Sequence, residues 1–236
     1  VVRRAKALRH LLRHKSVKVF PDELIVGNMG SHRISALIQP ELAGIFMSTE
    51  LLWIDRRKTN PLSMAWRERL KLLFQVYPYW LLRNMPFRAF SPHYRQFLRF
   101  ALEQMDATYY LINEAGGIGH FLPNYEKMLK LGVKGYLEGI EGKQGDLYQA
   151  VCIACEGLVD FARRFAEEAE RLAASEKDPV RAAELRDVAR ICRKVPLGPA
   201  ETFHEALQSL WLTHMAVNLE GLNSAISFGR IDQYLY

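Results

Sequence analysis

The chain has 236 residues, of which 49% are hydrophobic and 25% charged, a balance that excludes intrinsic disorder and suits one large globular domain or two small ones. The net charge of +6 is spread over predicted helices (Arg3, Arg4, Arg9 and Arg13; Arg163 and Arg164) and the short run Arg56-Arg57-Lys58. No basic block interleaves with aromatics, so solvated helix faces outweigh nucleic-acid binding.

The N-terminal VVRRAKALRH carries no apolar signal core, and no apolar run is long enough to span a bilayer. Three cysteines, an odd and low count, argue against a secreted disulfide framework. The expectation is a cytoplasmic protein with neither a membrane nor a nucleic-acid partner.

Residues 2–15 place Val2, Ala5, Leu8 and Leu12 at helical spacing among basic residues. Leu24-Ile-Val-Gly27 reads as a short buried strand or extended segment, and Gly27, Asn28 and Gly30 open a loop able to adopt positive φ. Residues 61–80 are helical, broken by Pro78, with Tyr77-Pro-Tyr-Trp80 as core aromatics. Residues 97–105 are helical. Tyr109-Tyr-Leu-Ile112 is a strand leading into Asn113-Glu-Ala-Gly-Gly-Ile-Gly-His120.

A short helix runs from Asn124 to Leu131, with Gly132 as its stop. A long amphipathic helix covers Asp146–Ser175. Asp178-Pro179 caps and starts a further helix to about Arg193. Thr202 with Glu205 three residues later predicts a capping box for an amphipathic helix. A strand follows near Ala225. The pattern has neither regular strand–helix alternation nor the long antiparallel helices of a simple bundle. A barrel built from strands distant in sequence, with helices outside, fits it.

Gly116-Gly-Ile-Gly-His120 is the sharpest local feature. Its glycines permit close backbone approach, and a histidine at a strand end can orient a substrate oxygen or move a proton near neutral pH. The alternative is a structural loop whose histidine bonds the backbone. The run matches neither the dinucleotide nor the P-loop fingerprint.

Cys152-Ile-Ala-Cys155 lies inside a helical apolar segment with no second pair to complete a zinc site, so two small core residues are expected; Cys192 is also expected to be buried on a helix. His204 and His214 fall about 80° apart in helical phase, without a carboxylate at i±4 on that face, so packing or capping outweighs metal binding. No metal site is expected. In Asn223-Ser-Ala-Ile-Ser-Phe-Gly-Arg-Ile-Asp-Gln233, Arg230 and Asp232 point the same way in an extended chain. A structural ion pair and a substrate contact remain equal alternatives on spacing alone.

Several stretches together resemble glycyl radical enzymes of the pyruvate formate-lyase-like family. They are Pro21-Asp-Glu-Leu-Ile-Val-Gly-Asn28, Gly117-Ile-Gly-His120 with Asn124-Tyr125 and Leu129-Lys-Leu-Gly132, and Asp178–Leu185 with Ala189–Pro196. Phe203-His-Glu-Ala-Leu-Gln208 and Gly229-Arg-Ile-Asp-Gln-Tyr-Leu-Tyr236 complete the set. The likeness runs in order along nearly the whole chain.

It implies an α/β fold: the helix-rich N-terminal part of a ten-stranded α/β barrel, with residues 1–236 forming part of a single domain that continues beyond Tyr236. It implies a lyase or acyltransferase in which a radical stored on a backbone glycine passes to a loop cysteine. The resulting thiyl then abstracts a hydrogen from a small organic substrate. A radical-SAM activase installs the radical, and the enzyme is a homodimer. No bound cofactor is expected in this chain, which carries neither the thiyl cysteine loop nor the radical glycine motif.

In glycerol- and choline-type members an Asn-Gly-His-Ser pattern stands where this chain has Leu222-Asn-Ser-Ala225, which weakens a diol-dehydratase or choline-lyase assignment. Arylacetate-type decarboxylases, C–S lyases, fumarate-adding synthases and uncharacterised members stay open. The resulting expectations are His120 as the catalytic residue; Asn223, Ser224 and Ser227 lining the substrate site; and Arg230 with Asp232 as structural residues. The rival is a truncated or split non-catalytic homologue acting as a binding or assembly partner.

Overall fold

A computed structural model describes residues 1–33, 35, 37–41, 43–58, 61–96, 99, 103, 120–221 and 225–235. In chain order the described α-helices are α1 (Val2–His14), α2 (Trp66–Lys71), α3 (Tyr77–Trp80), α4 (Met85–Phe90), α5 (Tyr125–Glu138), α6 (Asp146–Ser175), α7 (Pro179–Lys194), α8 (Phe203–Glu220) and α9 (Ile231–Tyr234). Two short strands, β1 (His120–Phe121) and β2 (Ala225–Ile226), pair in a two-stranded sheet. The chain groups into two compact units: Val1–Ser35, Phe121–Glu220 and Ile226–Tyr236 in the first, Ala36–His120 and Gly221–Ala225 in the second.

In the first unit α6 is the spine. Its buried side carries Ala150, Ile153, Phe161, Phe165, Ala169 and Ala173, at the spacing its sequence predicts. The many alanines let α1 lie along one side and α7 along the other. Phe161 and Phe165, both fully buried, meet edge-on with centroids 5.1 Å apart. Arg9 and Arg13 of α1 pair with Glu156 and Asp160 of α6. Arg164 of α6 donates to the Leu12 carbonyl at 2.7 Å and to that of Lys15, capping the C-terminal end of α1. Burial first, and then the Arg164 charge, hold the Lys15 amine down at about 8.

Asp178 caps α7 as the sequence predicts, accepting from the Val180 N–H at 3.0 Å with Pro179 at the first helical position. Gly132 breaks α5 without ending it. At φ 64°, ψ −179° the backbone turns, and the helix resumes to Glu138. The N–H groups freed at Val133 and Lys134 find the Pro196 and Leu197 carbonyls at 2.8 and 2.9 Å. A Cβ on Gly132 would stand 2.4 Å from the Gly198 carbonyl carbon, so any other residue there is strained and blocked.

The helix expected to be amphipathic, α8, is instead buried around most of its circumference, with Gln208, Ser209, Leu212 and Leu219 among its enclosed residues. Gln208 is fully buried. Its side-chain oxygen accepts from the Val26 N–H at 2.8 Å, and its amide nitrogen donates to the Val26 carbonyl at 2.7 Å. One turn earlier a His204 ring nitrogen lies 2.8 Å from the Leu24 carbonyl. One turn later the Trp211 indole donates to the Gly27 carbonyl at 3.1 Å.

Residues 24–27 form no strand: Leu24 and Ile25 lie in a bend, and side chains of a helix supply the hydrogen bonds a neighbouring strand would. Gly27, at φ 151°, is the residue that lets the indole approach, since a Cβ there would lie 2.7 Å from the ring.

At the start of α8, Thr202 Oγ accepts from the Glu205 N–H at 3.2 Å, half of the expected capping box. The other half is rerouted: Glu205 accepts from the Glu201 N–H at 2.9 Å and from Lys194 at 2.7 Å, with Arg190 3.6 Å away. Burial works against the charged Glu205 carboxylate, but these bonds and the Lys194 charge outweigh it and lower its pKa.

The second unit is organised around Arg69. This buried guanidinium donates to the carbonyls of Leu51, Leu52 and Met64 at 3.0–3.2 Å and pairs with Asp55 at 2.9 Å. It thereby holds the chain that carries the small core of Leu51, Ile54 and Tyr77. Pro78 does not break the helix as its sequence suggests. A π-helical turn over Leu72–Val76 precedes it, and the Tyr77 N–H bonds Leu72, so the missing proline N–H falls where the helix is already re-registering. Tyr77 is core, whereas Tyr79 is 55% exposed. The expected strand at Tyr109 and most of the helix over 97–105 lie outside the described residues.

Replacing Gln208 with Leu leaves both Val26 backbone groups buried and unpaired. The expected cost is about 2–5 kcal/mol in chemical denaturation; a loss below about 1 kcal/mol would contradict the pairing. The lowered Glu205 pKa means its stabilisation is complete above the ordinary value of 4.5 and is lost as pH falls through the lower folded value. Lys194→Met is expected to flatten that acid limb in thermal unfolding followed with pH, and an unchanged limb would contradict the assignment.

Candidate functional site

The pairing of β1 with β2 brings the backbone of His120 to the strand that Asn223 and Ser224 precede in sequence and Ser227 follows. His120 is the first residue of β1. Its side chain, residues 104–119, and Asn223 with Ser224 lie outside the described residues, so of the Gly-rich run only the His120 backbone is placed.

Ser227 is exposed, and its hydroxyl accepts from the Gly229 N–H at 3.0 Å, closing a small turn directly after β2. That turn, rather than the expected extended run, carries the chain into α9. Arg230 and Asp232 form a two-pronged ion pair at 3.0 and 2.8 Å. The Arg230 hydrogen bond keeps the Asp232 carboxyl below its ordinary range, and both side chains are well exposed. The pair fits the structural alternative.

Within the first unit lies an aromatic cluster that the sequence does not reveal. Tyr125 begins α5, capped by Asn124, whose side chain accepts from Lys127 at 3.0 Å. The Tyr125 hydroxyl lies 2.8 Å from Nδ1 of His214 on α8. His214 stacks on Phe228, with centroids 4.2 Å apart, and lies near-parallel to Trp211 at 6.0 Å. Phe228 also packs on Tyr125 at 5.7 Å, and the Tyr234 hydroxyl donates to the Phe228 carbonyl.

Burial, and secondarily Tyr234, raise the Tyr125 pKa; burial lowers that of His214. Both are neutral near pH 7. His214 is thus a packing residue with a specific partner. The sequence signal for it is the complete absence of Asp, Glu, Lys and Arg between Glu205 and Glu220, which marks a helix without a solvent face.

Cys152 and Cys155 sit on α6 and Cys192 on α7. Burial pushes the Cys155 thiol up to about 11 and Cys192 to about 12, so neither is an activated thiolate. Among the described residues no group of three or more His, Cys, Asp or Glu side chains could hold a metal ion. Nor, among those residues, is any helix long and apolar enough to cross a membrane.

The pattern of pyruvate formate lyase-like proteins matches residues 1–236, and the chain belongs to that family. The isethionate sulfite-lyase of Oleidesulfovibrio alaskensis is 30% identical over 265 aligned residues, which cover all of this chain and 31% of that protein. A glycyl radical enzyme from Archaeoglobus fulgidus superposes with a TM-score of 0.85 at 36% identity, again over all of this chain and 31% of the other. A Roseburia inulinivorans structure, solved to explain 1,2-propanediol dehydration, superposes at 0.88 with 28% identity and the same coverage.

The chain thus spans 31% of the length of these relatives, as their N-terminal portion. Of the expected fold, the helix-rich N-terminal part of a pyruvate formate lyase-like chain holds; the ten-stranded barrel is not seen among the described residues, whose strands are β1 and β2 alone. The similar proteins named here are a sulfite-lyase and a protein of 1,2-propanediol dehydration, and none of the three is named as an acyltransferase.

Proposed function

We propose that this chain forms the N-terminal part of a glycyl radical enzyme of the lyase or dehydratase class, which cleaves a C–S or C–O bond of a small organic substrate after a thiyl abstracts hydrogen. The carrying observation is the likeness along all 236 residues to a glycyl radical enzyme structure at 36% identity, with a sulfite-lyase among the sequence relatives. In this reading residues 1–236 are part of one catalytic domain whose ten-stranded barrel is completed by polypeptide outside this chain. That polypeptide also carries the thiyl cysteine and the radical glycine. A radical-SAM enzyme installs the radical, and the working form is a homodimer.

His120 orients a substrate oxygen or exchanges a proton with it, as a histidine at a strand end near neutral pH is suited to do. Asn223, Ser224 and Ser227, which flank the other strand in sequence, are read as lining the same site. Ser227 accepts a hydrogen bond from Gly229 and keeps its own hydroxyl hydrogen for donation. Ser224-Ala225 in place of a His-Ser pair argues against diols and choline as substrates.

The test is His120→Ala in the activated full-length polypeptide, assayed with isethionate and with trans-4-hydroxy-L-proline, the substrates that two of the similar enzymes are named for. The expected outcome is a fall in kcat of about 10²–10⁴ on the substrate that the unaltered enzyme turns over. Unchanged turnover would remove His120 from the chemistry. Absence of turnover of either compound by the unaltered, radical-bearing protein would remove both substrate classes.

A further inference from the structure

The Tyr125–His214 hydrogen bond joins the two chain segments that leave the paired strands. Tyr125 stands four residues after Phe121, the last residue of β1, and is itself 2% exposed. Phe228 stands two residues after Ile226, the last residue of β2. His214 touches both: its Nδ1 lies 2.8 Å from the Tyr125 hydroxyl, and its ring stacks on Phe228 at 4.2 Å. A second contact closes the same gap, because the Leu122 side chain lies so near Gly229 that a Cβ there would be 2.6 Å from it.

Hydrogen-bond accounting assigns a direction to the Tyr125–His214 bond. A buried phenol has one hydrogen to place, and His214 Nδ1 lies within reach of it. On this assignment Tyr125 donates to an unprotonated Nδ1 and the imidazole hydrogen sits on Nε2. Two strands of two residues each cannot hold register by their own ladder, which is far below the length of a self-sufficient hairpin. Their relative position must be imposed from outside.

We propose that Tyr125 and His214 are positioning residues: the hydrogen-bonded pair, through Phe228, sets the register of β1 against β2, and with it the position of the His120 backbone on β1. This rests on the reading of His120 as a substrate-site residue, but its test needs no substrate. A merely structural role would loosen the whole first unit when the pair is broken. A positioning role loosens the strand exits and leaves the helical spine intact.

The experiment is hydrogen–deuterium exchange on the full-length polypeptide, comparing the unaltered protein with Tyr125→Phe, His214→Ala and His214→Asn. The asparagine side-chain oxygen can replace Nδ1 as acceptor. In Tyr125→Phe and His214→Ala, amides in 120–122 and 225–229 are expected to exchange about tenfold faster or more. Amides in α6 and α7 should be unchanged, and His214→Asn should recover protection.

Unchanged exchange at the strands would overturn the proposal. So would acceleration spread equally over α6 and α7, or an asparagine variant no better than alanine. If His214→Ala does not fold, Tyr125→Phe and His214→Asn decide it. Failure of the functional reading shows separately, as turnover that survives His120→Ala.

Discussion

The buried amide of Gln208, bonded at both ends to Val26, is the interaction on which the first unit depends. It replaces a strand neighbour with a helix side chain, so a segment that reads as a strand is held by α8 instead. His204 and Trp211 extend the same contact one turn in each direction. With three successive turns committed to residues 24–27, the rotation of α8 about its axis is set. Once it is set, Glu205 faces Lys194 and Arg190, Leu210 faces Tyr125 and Leu129, and His214 faces Tyr125 and Phe228. The cost of removing an unpaired polar group from water makes this arrangement close to all-or-none: a half-bonded Gln208 would be worse than none.

The same helix links the N-terminal segment to the strand exits. Trp211 bonds Gly27 with its indole and stacks towards His214 with its ring, so the N-terminal segment and the strand exits are read by neighbouring turns of one element. The radical chemistry proposed for this chain would need such rigidity. A reactive intermediate must meet its substrate hydrogen and nothing else, which favours groups held by packing and by second-layer hydrogen bonds over groups carried on free loops. The strands here are too short to supply that rigidity themselves.

The sequence made much of this legible, for identifiable reasons. The spacing of α6 and the Asp178-Pro179 start of α7 are local signals, and both elements lie where those signals point. The ordered motifs from Pro21 to Tyr236 carry the family. What local patterns cannot carry is a partner distant in sequence. Leu24–Gly27 looks like a strand because its composition suits an extended buried segment; that its hydrogen bonds go to residues 180 or more positions away is visible only in the fold.

Pro78 looks like a breaker because a standard helix would be broken there, and the π-turn before it has no sequence signature of its own. Gln208 and Glu205 resemble solvent-facing polar residues until the charge-free stretch between Glu205 and Glu220 is noticed. His214 could be set aside as packing, and it is packing, but its bond to Tyr125 joins elements 89 positions apart.

The measurement that bears most directly on the account is electron paramagnetic resonance of the full-length polypeptide, purified anaerobically and incubated with a radical-SAM activase, S-adenosylmethionine and a reductant. The account predicts a glycyl radical doublet, together with bond cleavage that depends on it. Substrate cleavage in a sample that never acquires the doublet would contradict radical catalysis. A polypeptide that neither acquires the doublet nor cleaves substrate would point instead to the non-catalytic binding role.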